Sequence, residues 1–163
     1  MAHSAEIYML AEQLGIILRQ QKLFCAVAES CTGGSLAAAI TDIPGSSQWF
    51  DRGFVTYTNE AKEQMLAVPQ ATISAYGAVS AQTVTAMAEG ALAASGALVS
   101  VAISGIAGPG GGSTEKPVGT VWIAWSGASQ PTSSQCYFFA GDRAAIRQQA
   151  VHMALQGLIQ RCS

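Results

Sequence analysis

Residues 24–34 read Phe-Cys-Ala-Val-Ala-Glu-Ser-Cys-Thr-Gly-Gly, an apolar run that passes directly into a polar turn ending in two glycines. The apolar part, 24–27, predicts a short buried strand, and the pattern over 33–40 predicts the helix that follows it. The turn places the hydroxyl of Ser30 and the thiol of Cys31 where the strand ends and the helix begins. Because glycines leave backbone N–H groups uncovered, such a turn can hold a nucleophile and also stabilise a developing oxyanion.

Strand and helix patterns alternate outward from this turn. Ser4 is the predicted N-cap of a first helix, in which apolar residues recur at helical spacing. Asn59 and Asp142 are predicted to cap later helices, and a further helix is predicted to start at Ser80. Apolar runs predict further strands over 50–57, 98–103, 118–125 and 135–139. Helices separate the early strands, whereas the last two strands follow each other directly. We therefore predict an α/β fold, a three-layer α/β/α sandwich with a mixed, mostly parallel sheet.

The composition favours one compact domain over residues 1–163. Half of the residues are apolar, 11% are charged and the mean hydropathy is +0.30, as expected of a well-covered fold and of a homo-oligomer. The net charge of −2 argues against a nucleic-acid partner. No apolar segment is long enough to span a membrane, and no signal-peptide pattern is visible. The four cysteines form no CxxC pair, so we expect free thiols, no structural zinc and a cytoplasmic location.

Ser30 is the first candidate for catalysis. The usual base for a serine nucleophile is histidine, but His3 lies near the N-terminus and His152 lies inside a predicted helix. The base is therefore sought among lysine and tyrosine. The alternative interpretation of Ser30 is a helix N-cap, although Thr32 can perform the capping and leave Ser30 free. Cys31 is a rival nucleophile, and its alternative is an inert packed thiol.

Tyr57 and Lys62 are candidates because they lie where a predicted strand runs into a helix. If Asn59 is the N-cap, Lys62 is the third residue of that helix. The partial positive charge of the helix N-terminus would lower the pKa of Lys62 and favour the neutral amine that a general base needs. The alternative is a solvated lysine beside Glu60 and Glu63, whose carboxylates would oppose that shift. The alternative for Tyr57 is an amphipathic residue at the edge of the core.

A glycine-rich segment at 104–112 is a second candidate site. Dense glycines let a backbone approach a ligand closely and point N–H groups at it. The segment matches neither a P-loop nor a G-x-G-x-x-G pattern, so a mobile surface loop is the alternative interpretation. The candidate binding residues within it are Ser104, Gly105, Gly108, Gly110 and Gly111.

Arg143 is the candidate for binding an anionic group. It lies in the first predicted turn of the final helix, and a guanidinium beside a helix N-terminus suits a phosphate. The alternative is a surface ion pair with Asp142.

Five segments of the chain together resemble one protein family. They cover 28–34, 53–62, 77–80, 104–112 and 116–121, and read Ala-Glu-Ser-Cys-Thr-Gly-Gly, Gly-Phe-Val-Thr-Tyr-Thr-Asn-Glu-Ala-Lys, Gly-Ala-Val-Ser, Ser-Gly-Ile-Ala-Gly-Pro-Gly-Gly-Gly and Lys-Pro-Val-Gly-Thr-Val. In this order they resemble the CinA C-terminal-domain family, and the resemblance extends over most of the chain. Single-domain members of that family are the PncC-type amidohydrolases, the nicotinamide mononucleotide deamidases.

The resemblance implies an activity and a set of residues. Family members hydrolyse the carboxamide of nicotinamide mononucleotide to nicotinic acid mononucleotide and ammonia, which recycles pyridine nucleotide for NAD synthesis. The family's serine, tyrosine and lysine fall on Ser30, Tyr57 and Lys62. The resemblance implies no metal and no cofactor, and it implies a homo-oligomer. Longer relatives carry a further N-terminal domain, whose activity is not carried over to this chain.

These observations combine into one hypothesis with two alternatives. Ser30 attacks the amide carbonyl, Lys62 takes its proton, and Tyr57 relays or orients that proton. The oxyanion would be stabilised by backbone N–H groups of Cys31, Thr32, Gly33 and Gly34, with Ser104 and Gly105. The substrate phosphate would lie near Arg143 and the glycine loop. The alternatives are a non-catalytic nucleotide-binding or regulatory module and a broader amidase of small carboxamides.

Overall fold

The computed structural model describes residues 3–163. Its helices are α1 (Ala5–Gln21), α2 (Ser35–Thr41), α3 (Asn59–Leu66), α4 (Gln70–Tyr76), α5 (Ala81–Ala93) and α6 (Arg143–Cys162), with one 3₁₀ turn at Ser46–Gln48. Its strands are β1 (Cys25–Glu29), β2 (Phe50–Val55), β3 (Val99–Gly105), β4 (Thr120–Gly127) and β5 (Gln130–Phe138). Within this part of the chain, no helix combines the length and apolar character needed to cross a bilayer.

The five strands form one mixed sheet in the order β2-β1-β3-β4-β5. β1 pairs in parallel with both β2 and β3, whereas β4 pairs antiparallel with both β3 and β5. Four strands therefore run in one direction and β4 runs against them. Helices connect β1 to β2 and β2 to β3, as parallel neighbours require, and a tight hairpin connects β4 to β5.

Helices cover both faces of the sheet, which confirms the predicted three-layer α/β/α architecture. Alternate residues of a strand point to opposite faces, so Cys25 and Val27 enter one core while Ala26 and Ala28 enter the other. The first core is closed by α1, α2 and α6 over bulky strand residues, including Trp125. The second is closed by α3, α4 and α5 over a row of small strand residues, namely Ala26, Ala28, Ala102 and Ala124.

Most of the predicted helix starts are confirmed, and one is wrong. Ser4, Ser80 and Asp142 each accept a hydrogen bond from a backbone N–H three residues later. Asn59 is not a cap, because Thr58 takes that position and its hydroxyl accepts from the N–H of Ala61 at 3.0 Å. Lys62 is consequently the fourth residue of α3 rather than the third.

The largest differences from the predicted strands and helices lie in three segments, and other predicted ends shift by about two residues. β3 continues through Gly105 into the segment predicted as a loop, because it pairs with β4 as far as Val121. β5 begins at Gln130 rather than at 135, because Ala128 and Ser129 both have positive φ and form a tight hairpin turn. α4 was not predicted, since Ile73 is its one buried residue and a single apolar position leaves no periodic pattern.

Candidate active site

The predicted site residues gather outside the carboxyl ends of the parallel strands. Ser30 follows β1 directly, Tyr57 lies just beyond β2, and Gly105 ends β3. In the sheet, β2 lies on one side of β1 and β3 lies on the other, so the direction of the strand order reverses at β1. Open α/β sheets bind ligands at such a switch point. A pocket of about 290 Å³ opens here.

All but three of the predicted site residues line this pocket. Those that line it are Ser30, Cys31, Tyr57, Lys62, Ser104, Gly105, Gly108, Gly110, Gly111 and Arg143. The three that do not are Thr32, Gly33 and Gly34. The side chain of Thr32 is fully buried, and the two glycines line a different hollow of about 370 Å³ on the other side of the turn.

Ser30 and Lys62 form the central contact of the pocket. Lys62 Nζ donates to Ser30 Oγ at 3.0 Å and to the carbonyl oxygen of Thr56 at 2.8 Å. The backbone N–H of Ser30 donates to Ile103 O at 3.0 Å and so extends the pairing of β1 with β3 by one residue. Ser30 is 9% exposed and Lys62 is 1% exposed. The hydroxyl is therefore held at a fixed distance from an amine that is shielded from water.

Burial lowers the pKa of Lys62, and the nearby thiol of Cys31 opposes that shift. An ammonium loses its hydration when it is buried, so the neutral amine gains relative stability. The direction agrees with the sequence analysis, but the principal cause is burial of the amine rather than the helix N-terminus. The alternative of a solvated lysine is wrong. Within residues 3–163, Lys62 forms no ion pair with Glu60 or Glu63.

Cys31 is poorly suited to be the nucleophile, although it lies beside Ser30. Burial raises the pKa of its thiol to about 11. The thiol is therefore protonated near neutral pH, and thiols attack as thiolates. Ser30, rather than Cys31, receives the hydrogen bond from Lys62.

The carboxylate of Glu29 caps α2, a role that the sequence analysis assigned to Thr32. Glu29 is fully buried, and its oxygens accept from the backbone N–H groups of Gly34, Leu36 and Ala37 at 3.2, 2.9 and 3.0 Å. Thr32 Oγ1 is buried without a hydrogen-bond partner. The prediction for Thr32 is therefore wrong. The sequence pattern did not indicate Glu29 as the cap of α2, because Glu29 ends β1 and lies several residues before the usual N-cap position.

Replacing Glu29 with alanine is expected to destabilise the protein by about 2–4 kcal/mol, because three backbone donors near the turn would lose their acceptor. Chemical denaturation with urea would measure the change. Glu29→Gln is the matched variant, since it keeps one acceptor oxygen and nearly the same volume, and it should lose less stability. Equal stability of wild type and Glu29→Ala would contradict the assigned cap.

One turn residue, Cys31, combines an unpaired backbone N–H with a place in the pocket lining. Gly33 N–H donates to Ser30 O at 3.0 Å, and Gly34 N–H donates to Glu29. The N–H groups of Cys31 and Thr32 donate to no other residue in the part of the chain that the structure describes. Thr32, however, is fully buried and does not line the pocket. The N–H that directly follows a nucleophile is a typical oxyanion donor, so the geometry favours Cys31 among the donors predicted for this turn.

Arg143 connects the glycine loop to Tyr57 at the rim of the pocket. Its Nη1 donates to Gly108 O at 2.8 Å and its Nη2 donates to the Tyr57 hydroxyl at 3.0 Å. Asp142 instead caps α6, so the predicted alternative of an ion pair with Arg143 is wrong. Tyr57 is 59% exposed, and among the described residues its hydroxyl makes no hydrogen bond with Ser30 or Lys62. This geometry favours an orienting role for Tyr57 over a proton relay.

The glycine loop packs tightly against Val118, which lies just before β4. Gly108 has a φ of +79°, and a Cβ at this position would lie 2.5 Å from a methyl group of Val118. A side chain is excluded there by both the backbone conformation and the contact. Ser104, at the base of the loop, donates from Oγ to Ala78 O at 2.8 Å.

Both histidines lie away from the pocket. His3 Nδ1 is 3.0 Å from Asp42, and His152 Nε2 is 2.9 Å from Glu6. Residues 3–163 contain no group of three or more His, Cys, Asp or Glu side chains placed to hold a metal ion. All four cysteines, which lie within this range, are free.

Comparison with known proteins shows the family of this chain and agrees with its fold. Residues 7–162 match the CinA C-terminal domain. The chain is 53% identical over 157 residues to the nicotinamide-nucleotide amidohydrolase PncC of Escherichia coli strain K12, an alignment covering 96% of this chain and 95% of the relative. It is 53% identical over 154 residues to the PncC of Pseudomonas putida, covering 94% and 96%.

The fold of this chain also matches solved structures closely. The competence/damage inducible protein CihA from Agrobacterium tumefaciens superposes with a TM-score of 0.97 at 44% identity, covering 100% of this chain and 99% of the other. A CinA superfamily protein from Escherichia coli superposes with a TM-score of 0.91 at 38% identity, covering 98% and 93%. With the sequence match spanning nearly the whole chain, the protein belongs to the CinA C-terminal domain family, as its five motifs implied.

Proposed function

We propose that this protein is a nicotinamide-nucleotide amidohydrolase that converts nicotinamide mononucleotide and water to nicotinic acid mononucleotide and ammonia, and so recycles pyridine nucleotide in the cytoplasm. Relatives 53% identical over nearly their full length carry that activity in their names. The observation that carries the proposal is the 3.0 Å contact between Lys62 Nζ and Ser30 Oγ inside the pocket. A buried amine against a hydroxyl is an arrangement that activates a serine nucleophile.

The first half of the reaction forms an acyl-enzyme. Ser30 Oγ attacks the carboxamide carbon while its proton passes to the neutral amine of Lys62. The tetrahedral oxyanion receives a hydrogen bond from the N–H group of Cys31, and such a donor contributes roughly 10²–10³-fold to the rate. The protonated Lys62 then donates to the departing nitrogen, the C–N bond breaks, and ammonia leaves.

The second half reverses these proton transfers. Lys62, again neutral, accepts a proton from water as the water oxygen attacks the ester carbonyl. The bond between Ser30 Oγ and the acyl carbon breaks, and the proton returns from Lys62 to Ser30. A low pKa for Lys62 serves both halves, since the same amine must be a base and then an acid near neutral pH.

Arg143 is proposed to hold the substrate phosphate at the rim. Two of its N–H donors bind Gly108 and Tyr57, which fixes the guanidinium and leaves other donors free for an anion. Arg143→Ala is expected to raise the KM for nicotinamide mononucleotide by about 10- to 100-fold, because the substrate phosphate would lose a charge-assisted hydrogen bond. Steady-state kinetics would measure it, with Arg52→Ala as the control, since Arg52 is a half-exposed guanidinium on β2 that does not line the pocket. A change confined to kcat would contradict the phosphate role.

The deciding experiment measures ammonia release by the wild-type protein from nicotinamide mononucleotide, nicotinamide riboside and free nicotinamide. Release that requires the phosphate supports the mononucleotide amidohydrolase. Equal release from the riboside would instead indicate a broader carboxamide amidase. Binding of the mononucleotide without any release would indicate a non-catalytic nucleotide-binding module.

A homo-oligomer is proposed on the basis of the exposed apolar face of α1. Met9 is 66% exposed, and Tyr8 and Ile16 are exposed as well. Apolar clusters of this kind typically mark protein–protein contacts. Light scattering after size-exclusion chromatography would test this proposal, and a mass equal to one chain would contradict it.

A further inference from the structure

Arg147 contacts the nucleophile turn and lines the hollow beside Gly33 and Gly34 rather than the pocket. It lies four residues after Arg143 on α6, so both side chains leave the same face of that helix. Its Nε donates to Cys31 O at 3.1 Å, and its Nη2 donates to Thr32 O at 3.0 Å and to Ser35 Oγ at 3.4 Å. Within residues 3–163 no carboxylate forms an ion pair with it. The positive charge of Arg147 therefore lies against backbone carbonyl groups of the turn.

Because each peptide group is planar, a contact that fixes its C=O also fixes the direction of its N–H. In a trans peptide the C=O and the following N–H lie in one plane and point in opposite directions. Holding Cys31 O toward Arg147 therefore directs the N–H of Thr32 away from Arg147. Holding Thr32 O directs the N–H of Gly33 in the same way, and that N–H is bound to Ser30 O at 3.0 Å. Ser30 O and the N–H of Cys31 belong to one peptide unit, and that N–H has no acceptor on another described residue.

The two sides of the turn face different spaces. Arg147 lines the hollow of about 370 Å³ with Gly33 and Gly34, whereas Ser30 and Cys31 line the pocket. Thr32 lines neither space, so Cys31 is the residue of the turn whose unpaired N–H lies on the pocket side. Glu29 holds the far end of the same turn by accepting from Gly34 N–H, so the turn is fixed at both ends.

We infer that Arg147 is a positioning residue that orients the Cys31 N–H as an oxyanion donor. Arg147 holds Thr32 O, the N–H of that peptide unit holds Ser30 O, and the peptide unit of Ser30 O carries the Cys31 N–H. A cationic donor on a carbonyl strengthens the hydrogen bond that the N–H of the same peptide unit can donate. This inference rests on the proposed function. Arg147 would therefore affect the rate of the chemical step and not substrate binding, whereas Arg143, one turn earlier on α6, would bind the substrate phosphate.

The test compares Arg147→Met, Arg147→Lys and Ser35→Ala by steady-state kinetics and thermal unfolding. Arg147→Met should lower kcat by about 10- to 100-fold, because the variant loses part of the contribution of one oxyanion donor. The KM and the pH profile should stay nearly unchanged. Arg147→Lys should be intermediate, because an ammonium cannot donate in a fork to both carbonyls. Ser35→Ala removes the longest of the three contacts and should behave as wild type.

Chemical rescue makes the test specific to positioning. Arg147→Ala opens space beside the solvent-connected hollow, so millimolar guanidinium should restore part of kcat in this variant and none in Arg143→Ala. A folded Arg147→Met with wild-type kcat overturns the inference, as does a loss confined to KM. If Arg147→Met does not fold, Arg147→Lys decides, and wild-type kcat in that variant overturns the inference.

Labelling of Ser30 by a fluorophosphonate separates this inference from the proposed function. In that reaction Ser30 Oγ bonds to phosphorus, fluoride leaves, and the proton passes to Lys62. If wild type is labelled but releases no ammonia from nicotinamide mononucleotide, the proposed function fails. The inference then stands if Arg147→Met is labelled more slowly than wild type, and falls if the two rates are equal. A wild type that is not labelled overturns both.

Discussion

Replacing Ser30 with alanine is expected to lower kcat for nicotinamide mononucleotide hydrolysis by roughly 10⁴-fold or more, as removal of a serine nucleophile does in other hydrolases. Without Oγ no acyl-enzyme forms, and the oxyanion donors remain without an attacking atom. The fold should be retained, because the main chain of Ser30 keeps its bond to Ile103 O and Glu29 still caps α2. Ammonia release measures the first effect and thermal unfolding the second.

Ser100→Ala is the matched control for this variant. Ser100 is also buried on the sheet, and its Oγ donates to Ala88 O at 2.6 Å, away from the pocket. It should cost about 1 kcal/mol of stability and leave kcat unchanged. Activity of Ser30→Ala above a few per cent of wild type would rule out Ser30 as the nucleophile and leave it a polar residue of the turn.

Replacing Lys62 with methionine is expected to lower kcat by roughly 10²–10⁴-fold, the usual contribution of a positioned general base. Methionine fills nearly the same space without a group that can take the proton of Ser30. The stability should change little or rise, since an amine held in an apolar site is costly to bury. Lys22→Met, at the exposed end of α1, is the control and should keep wild-type activity.

The pH dependence follows from the lowered pKa of Lys62. Activity of the wild type should rise with pH as the ammonium loses its proton, and level off above that lowered pKa. The unfolded chain binds this proton more tightly, so the free energy of unfolding should rise with pH between the lowered pKa and the ordinary value of a lysine. Both dependences should vanish in Lys62→Met. An unchanged pH–rate profile in that variant would exclude Lys62 as the base.

Local features of the chain were predictable because they act over a few residues. Ser4, Ser80 and Asp142 cap helices through contacts three residues long, and alternating apolar residues decide which face of a strand is buried. The strand–turn–helix at Ser30 and the order of the five motifs were likewise visible in the sequence. These features were enough to predict the sandwich architecture and the family.

The chemistry of the pocket depends on contacts that no local pattern contains. Lys62 meets Ser30 across 32 residues because α3 packs beside the end of β1, and its pKa falls because distant segments exclude water from the amine. Arg147 binds the turn across more than 100 residues of chain, and Glu29 caps a helix from the end of a strand. The sequence alone thus determined which side chains were available and where α1, α5 and α6 begin. The tertiary structure decided which of them touch and how much water they keep, because solvation and hydrogen bonding depend on distance in space rather than along the chain.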